Sequence, residues 1–318
     1  MVPASRPLDV RTYYDRPVLK EPTWRWYIPA YFWAGGLAAG SSLLAVGADL
    51  TGDKGLARRS RLVGTAAIAF GAACLVADLG RPERFHHMLR VAKPSSPMSV
   101  GTWLLSLYGP AAGAAAVADL LRGVAPAWVA PAGRAAGWLA AATAPGVASY
   151  TAVLVSDTAV PAWHDARRSL PGLFVASAAG AAGGMALLAG AVAGAEPNPA
   201  AVRLAAGGAV AEGVAAQVVE RTLDPAVRTA WESGRARTLS RLAAGLGAAG
   251  VVVVVGSAGP RRRPQGTGWR RWAAGAGGAM IAAASGVERF AVMAAGRASA
   301  ADPRATVGPQ RIRLASTT

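Results

Sequence analysis

The stretch GLFVASAAGAAGGMALLAGAVAG, residues 172–194, carries no charged side chain, and charged or Pro-containing segments close it on both sides. A helix rises about 1.5 Å per residue, so about 20 apolar residues cross a hydrocarbon core about 30 Å thick. Seven other stretches are similarly long and apolar, at 27–50, 62–79, 98–121, 135–157, 200–220, 239–257 and 270–296. The pattern predicts an all-α polytopic membrane protein, a bundle of eight transmembrane helices.

The segments outside these spans complete the predicted organisation. Residues 1–26 are charged and end in Trp and Tyr, which is typical of an interfacial segment, and 27–297 form the membrane domain. The connections 80–97 and 158–171 are amphipathic and bounded by Pro, which predicts two short helices lying in the interface plane. Residues 298–318 are polar and predict a disordered tail.

Small residues at four-residue spacing predict close helix contacts. In lipid, helices gain little hydrophobic energy by associating, so close backbone approach has to hold them together. Three pairs have the spacing: Gly36 with Gly40, Gly180 with Gly184, and Gly190 with Gly194. Chance spacing in an Ala- and Gly-rich chain is the alternative explanation.

The charge distribution predicts an orientation. Eight spans place both termini on one side, and the segments on that side carry more Lys and Arg than those on the other. The positive-inside rule therefore predicts cytoplasmic termini. The net charge of +16 would favour nucleic acid as a ligand of a soluble protein, but here the Arg residues of the loops meet lipid headgroups.

Several kinds of chemistry are excluded by residue type. Cys74 is the single cysteine, so a disulfide and a Cys-ligated cluster are both excluded. The three histidines, His86, His87 and His164, all lie in the two connecting segments, whereas a transmembrane b-type haem takes axial His ligands from the spans. The sequence contains no HExxH, GxSxG, P-loop, GxGxxG or CxxC motif. We therefore expect no haem and no metal in this chain, and no catalysis by the chain alone.

Ionisable residues inside the spans are candidates for proton transfer, because they are costly in hydrocarbon and need a partner or a cavity. Glu212 lies in mid-span and shares a polar stripe with Gln217 and Glu220, while Glu288 and Arg289 are adjacent in the last span. We predict a proton path through Glu212, Glu220 and Glu288. A structural hydrogen bond between helices is the alternative for Glu212. Headgroup-level solvation accounts for the acids at span ends, among them Asp49, Asp78, Asp119 and Asp157.

A family resemblance rests on several segments at matching positions of the spans. They are ADLGRPERFHHML (77–89), SPMSVGTW (96–103), YFWAGGLAAGSSLL (31–44), SYTAVLV (149–155), VPAWHDARRSLPGLFVASA (160–178) and ERFAVMAAG (288–296). Together they resemble the NrfD-like membrane subunits of polysulfide reductase-type complexes.

The resemblance implies a membrane anchor subunit in the bacterial cytoplasmic membrane. Its implied partners are a four-cluster ferredoxin-like iron–sulfur subunit and a molybdopterin catalytic subunit. Its implied cofactor is an exchangeable menaquinone or ubiquinone that trades electrons with the iron–sulfur partner. The Tyr that contacts the quinone in the family matches Tyr150. Near the start of span one, where relatives place an Asn-type residue by the quinone headgroup, this chain departs from the family and reads IPAYFW, with Tyr31 as the substitute.

The order of the spans places the residues expected to bind quinone at the same membrane interface. The start of span one, the end of span four and the segments 80–97 and 158–171 all fall on the same side, so a quinone pocket can form there from Tyr150, Tyr31, His86, Asp78 and His164. The exposed cations of the two segments predict the docking face for the partner: Arg81, Arg84, Arg167 and Arg168.

Alternatives remain at the sequence level. Tyr150 can be a belt tyrosine at a helix end, and the histidines can be wetted interfacial side chains. The chain can also be a structural or proton-translocating subunit without a quinone site. A transporter with a midplane site should show corresponding broken helices in two halves. The halves 27–157 and 172–296 show no clear sequence repeat.

Overall fold

The computed structural model describes residues 19–258 and 268–307. Eight helices in these ranges are long and apolar enough to cross a membrane, which confirms the predicted number of spans. They are α1 (Tyr27–Leu50), α2 (Lys54–Asp78), α3 (Pro97–Leu120), α4 (Val129–Ser156), α6 (Leu170–Val192), α7 (Pro199–Thr222), α9 (Gly234–Ala258) and α10 (Gly268–Ala301). Within the described part of the chain no β-strand occurs, so the all-α class is confirmed.

The eight helices form two groups of four. In the first group α1 packs on α2 and α4, and α3 completes the ring. In the second group α6 packs on α7 and α10, and α9 completes the ring. The groups meet where α6 contacts α1, α2 and α4, and where α10 contacts α1. The two halves therefore share one order of neighbours, although their sequences show no clear repeat.

Glycines bring the central helices together, as predicted for two of the three pairs. A methyl group on Gly36 would lie 3.2 Å from Cβ of Ala178, and one on Gly40 would lie 2.7 Å from the carbonyl oxygen of Ala178. Gly180 faces the backbone of α7, and Gly184 faces the backbone of Gly278 on α10. Small residues thus fix the crossings of α6 with α1, α7 and α10.

For Gly190 and Gly194 the alternative of chance spacing holds. A methyl group on Gly190 would meet no atom within 4 Å. Gly194 has a φ of +75° and lies just after α6, where the chain turns. Glycine suits this position because residues with a Cβ rarely adopt this backbone geometry.

Short helices cover one end of the bundle, the end that carries the described N-terminal residues. The segment 80–97 contains a 3₁₀ helix at Pro82–Arg90, and 158–171 contains α5 (Pro161–Asp165) followed by a 3₁₀ turn at Ala166–Arg168. A further short helix, α8 (Pro225–Glu232), was not predicted. Its signal was present, because Asp224 before Pro225 is an N-cap with Pro at the first helical position.

The first described residues and the last described helix are both held at this covered end. The ring of Trp24 stacks on Trp163 of α5 with 5.5 Å between centroids, and Arg297 of α10 donates a hydrogen bond to the carbonyl oxygen of Trp24. Helix α10 continues to Ala301, past residue 297 where the sequence predicted the ordered domain to end. Residues 1–18 of the predicted N-terminal segment 1–26, and residues 308–318 of the predicted tail 298–318, lie outside the described residues.

At the opposite end, an ionic cluster links the first three helices. Arg61 of α2 pairs with Asp49 of α1 and with Asp119 of α3, and Asp119 also accepts from Arg122. Asp119 is 7% exposed, so solvation at headgroup level does not account for it, contrary to the sequence-based interpretation. The guanidinium of Arg61 compensates this buried carboxylate instead.

Candidate functional site

The three glutamates predicted for a proton path line one cleft. Glu212 and Glu220 face it from α7, and Glu288 faces it from α10. Glu212 is 8% exposed and Glu288 is 4% exposed, so both carboxyl groups are buried between helices. Ten residues separate Glu212 from the end of α7 at Thr222, which places it about 15 Å below the covered end of the bundle.

A chain of hydroxyl groups runs from Glu212 into the bundle. The Ser177 hydroxyl of α6 donates to Glu212 Oε1 over 2.7 Å. The Ser285 hydroxyl of α10 lies 2.7 Å from the Ser177 hydroxyl and 3.2 Å from the Ser177 carbonyl oxygen, and its one proton can be donated to either. Both serines are fully buried. The chain joins α6, α7 and α10, so the predicted interhelical hydrogen bond of Glu212 is present.

Arg289 lies beside this chain and is 1% exposed. Its Nη2 donates to the Phe174 carbonyl oxygen over 3.0 Å, and its guanidinium sits 3.6 Å from the centroid of the Phe174 ring. Its Nε and Nη1 have no hydrogen-bond partner among the described residues. A cation without an opposite charge is costly in hydrocarbon. Glu212 and Glu288 are near enough to supply the negative charge that compensates Arg289.

The cleft has a volume of about 830 Å³ and lies between α7 and α9, with α10 as its floor. Its depth is lined by small and apolar side chains together with Glu212 and Glu288. Its mouth at the covered end holds Trp231, Glu232, Arg237, Ser240 and Arg241. These five residues were not predicted from the sequence. The four-residue spacing of Arg237 and Arg241 at the start of a span was the available signal, because such residues share one helix face.

The two tyrosines predicted for the quinone pocket belong to one apolar cluster near the covered end. Tyr31 of α1 packs against Gly71 of α2, and the ring of Tyr150 of α4 packs against Gly101 of α3. Both residues are buried, and Cys74 and Trp163 belong to the same cluster. Neither tyrosine hydroxyl forms a side-chain hydrogen bond with another described residue.

The polar residues predicted for that pocket lie at the same end but are more exposed. Asp78 is half-buried at the end of α2, and His86 is exposed in the 3₁₀ helix that follows. His164 is exposed in α5, and its Nδ1 lies 3.3 Å from the Ser156 carbonyl oxygen. Both tyrosines are thus buried in the same extended apolar cluster, which also includes residues of α6 to α10, and the two histidines lie at the surface.

The predicted docking cations lie on the covered end. Arg81, Arg167 and Arg168 are exposed there, and Arg167 Nη1 donates to the His164 carbonyl oxygen over 3.1 Å. The side chain of Arg84 lies outside the described part of the structure. The exposed guanidinium groups give this surface a positive charge, which suits a partner with an acidic face.

Comparison with known families matches residues 19–219 to the family described as polysulphide reductase, NrfD. The match covers α1 to α7 and ends before α8, α9 and α10, so much of the cleft lies beyond it. No curated protein matches the chain. The matched range is more than half of the chain, and this multi-pass membrane protein therefore belongs to the polysulphide reductase NrfD family.

Proposed function

We propose that the chain is a quinone-binding membrane subunit of a polysulfide reductase-like complex, which exchanges electrons between the quinone pool and an iron–sulfur partner. The observation that carries the proposal is the placement of Tyr31 and Tyr150, buried in one cluster beneath the surface that bears the exposed arginines. A molybdopterin subunit would bind to the iron–sulfur partner and supply the terminal chemistry. Both termini are proposed to face the cytoplasm, in the bacterial cytoplasmic membrane.

The side chains of the tyrosine cluster fit a quinone headgroup. A quinone carbonyl accepts a hydrogen bond, and the hydroxyl groups of Tyr31 and Tyr150 are donors without a protein acceptor among the described residues. When bound, the quinone supplies the two-electron chemistry that no side chain here supplies. Asp78, His86 and His164 lie at the same end and can exchange protons with water there.

Replacing Tyr150 with phenylalanine tests this assignment. The ring stays against Gly101 and only the hydroxyl is removed, so folding should change little. A lost hydrogen bond to a neutral acceptor costs about 1–2 kcal/mol, which corresponds to about 5- to 30-fold weaker quinone binding. Quinol-coupled turnover and titration with a quinone-analogue inhibitor, in membranes that hold the whole complex, measure the effect.

The matched control is Tyr27→Phe, a tyrosine at the same end that packs against Trp26. It should behave as the wild type. If Tyr150→Phe also behaves as the wild type while Tyr31→Phe is impaired, a pocket exists but Tyr150 is not its donor. Unchanged titration in both variants would remove the quinone site and leave an anchor subunit.

Charge reversal tests the docking surface. The double variant Arg167→Glu, Arg168→Glu, alone or with Arg81→Glu, should release the iron–sulfur partner, because like charges facing each other across an interface cost several kcal/mol. Co-purification in mild detergent measures the release. Arg58→Glu with Arg134→Glu reverses two exposed charges at the opposite end and should leave the complex intact. If the two double variants retain the partner equally, the partner does not bind at this surface.

Proton conduction is a second candidate function, and the hydrogen-bonded run Glu212–Ser177–Ser285 beside Glu288 favours it. Buried carboxyl and hydroxyl groups at hydrogen-bond distance can pass protons between a cleft and the bundle interior. On this hypothesis the cleft brings protons to Glu212 and Glu288 from the covered end.

The Glu212→Gln variant separates the two roles of this residue. The amide keeps the shape and can still accept from Ser177, so assembly should persist. If Glu212 relays protons, turnover of the complex falls by at least about tenfold while quinone binding is retained. Glu196→Gln, an exposed acid at the opposite end, is the control. Full turnover of the complex with Glu212→Gln would show that Glu212 has a structural role and does not relay protons.

A further inference from the structure

The cleft between α7 and α9 opens sideways from the bundle. Helix α9 packs mainly on α10 and much less on α7, so a gap remains between α7 and α9. Val210 on its wall is 57% exposed, and Gly213 and Ala248 are exposed as well. In a membrane these positions face acyl chains. The volume of about 830 Å³ lies within the range of about 300–1,000 Å³ that is usual for ligand pockets.

The mouth of the cleft presents cationic donors at headgroup depth. Arg237 and Arg241 lie in the first turns of α9, with Ser240 beside them. Neither guanidinium forms an ion pair or a hydrogen bond with another described residue. Trp231 is 4% exposed, lines the same mouth, and its indole N–H has no partner within the described ranges. These donors match the oxygen atoms of a phosphate group.

Two carboxylates stand at the same mouth. Glu220 lies in the last turn of α7, and Glu232 is the last residue of α8. Neither forms an ion pair with a described cation. They would repel a purely anionic headgroup. An ammonium group next to the phosphate would instead find an acceptor of opposite charge. The mouth therefore offers complementary charge to a headgroup that carries both signs.

We propose that the cleft is a binding site for a zwitterionic phospholipid with a free ammonium group, of the phosphatidylethanolamine class. Its phosphate sits at Arg237 and Arg241, and its ammonium sits at Glu220 or Glu232. One acyl chain lies across the lipid-facing opening between α7 and α9, at Gly213, and separates the interior of the cleft with Glu212 and Glu288 from the surrounding lipid. Neither Tyr31 nor Tyr150 lines the cleft, so the proposal does not depend on whether a quinone binds at the tyrosines.

Native mass spectrometry of the full chain, purified in mild detergent, tests the proposal. About one phosphatidylethanolamine should remain bound per chain. After delipidation, phosphatidylethanolamine should raise the Tm more than phosphatidylglycerol does, because ligand bound to the folded state stabilises it. The double variant Arg237→Gln, Arg241→Gln should bind phosphatidylethanolamine at least about tenfold more weakly, since two charge-assisted contacts are lost. Arg235→Gln, an exposed neighbour outside the cleft, is the control.

A second variant blocks the groove without touching its charges. A Cβ on Gly213 meets no atom within 4 Å, so Gly213→Leu should fold. Its side chain should occupy the space proposed for the acyl chain. Gly207→Leu is its control, because Gly207 lies on the same helix, is equally open and does not line the cleft. Wild-type retention of the lipid in Gly213→Leu would overturn the proposal. Equal stabilisation by the two lipids would also overturn it. The same holds if the wild type retains a quinone that Gly213→Leu has lost.

Discussion

The Gly184→Leu variant should fail to assemble a stable bundle. A Cβ at residue 184 would press on the backbone of Gly278, lying 3.1 Å from its carbonyl carbon and 3.3 Å from its Cα. A helix backbone cannot yield as a flexible side chain can, so α6 and α10 would have to separate. Overpacking in a close-packed site costs about 1–3 kcal/mol, and a leucine against backbone should reach at least about 3 kcal/mol. Thermal unfolding in detergent, with the yield of monodisperse protein, measures the loss.

Gly190→Leu is the matched control for that variant. It lies on the same helix, and a Cβ there meets no atom within 4 Å. Gly→Leu raises helix propensity at both positions, so any difference between the variants reports the contact with α10. Equal stability of the two variants would show that the crossing of α6 and α10 does not depend on Gly184.

The number and type of helices could be predicted because the bilayer allows few solutions. Backbone polar groups in hydrocarbon must bond within their own segment, so a long apolar run is a helix. The ends of the helices were harder to predict where charged residues are paired inside the fold. Helix α2 begins at Lys54 rather than at residue 62, because Asp53 caps its first turn, and Arg61 within it is compensated by Asp49 and Asp119. A sequence pattern treats such a charge as part of a loop.

The candidate sites were predictable in type but not in detail. The acids of α7 and α10 were identified because carboxyl groups inside spans are costly. Their partners Ser177 and Ser285 were missed, since an isolated serine in a span carries no signal and 108 residues separate the two. Which helices are neighbours decides such contacts, and the glycines that set the crossings face atoms on distant segments. The gap between α7 and α9 could not be predicted for the same reason.

The two halves place related features at the same end of the bundle. In each half, a short helical segment joins the second and third spans at the covered end: the 3₁₀ helix in the first half and α8 in the second. Tyr31 and Tyr150 lie near that end in the first half, and the mouth of the cleft lies there in the second. Both halves thus use their covered end to hold polar groups beside apolar walls, where an amphipathic ligand can bind.

Replacing Arg61 with methionine should destabilise the opposite end by about 3–5 kcal/mol, the cost of removing one partner from a buried ion pair. Methionine keeps much of the apolar stem but leaves Asp119 buried with only the exposed Arg122 as its cation. Denaturant or thermal unfolding in detergent measures the change. Arg58→Met removes an exposed charge one turn earlier and should stay within about 0.5 kcal/mol of the wild type. Adding Asp119→Leu to Arg61→Met should recover part of the loss, since the uncompensated carboxylate is then absent. A double variant less stable than Arg61→Met would contradict this account of the cluster.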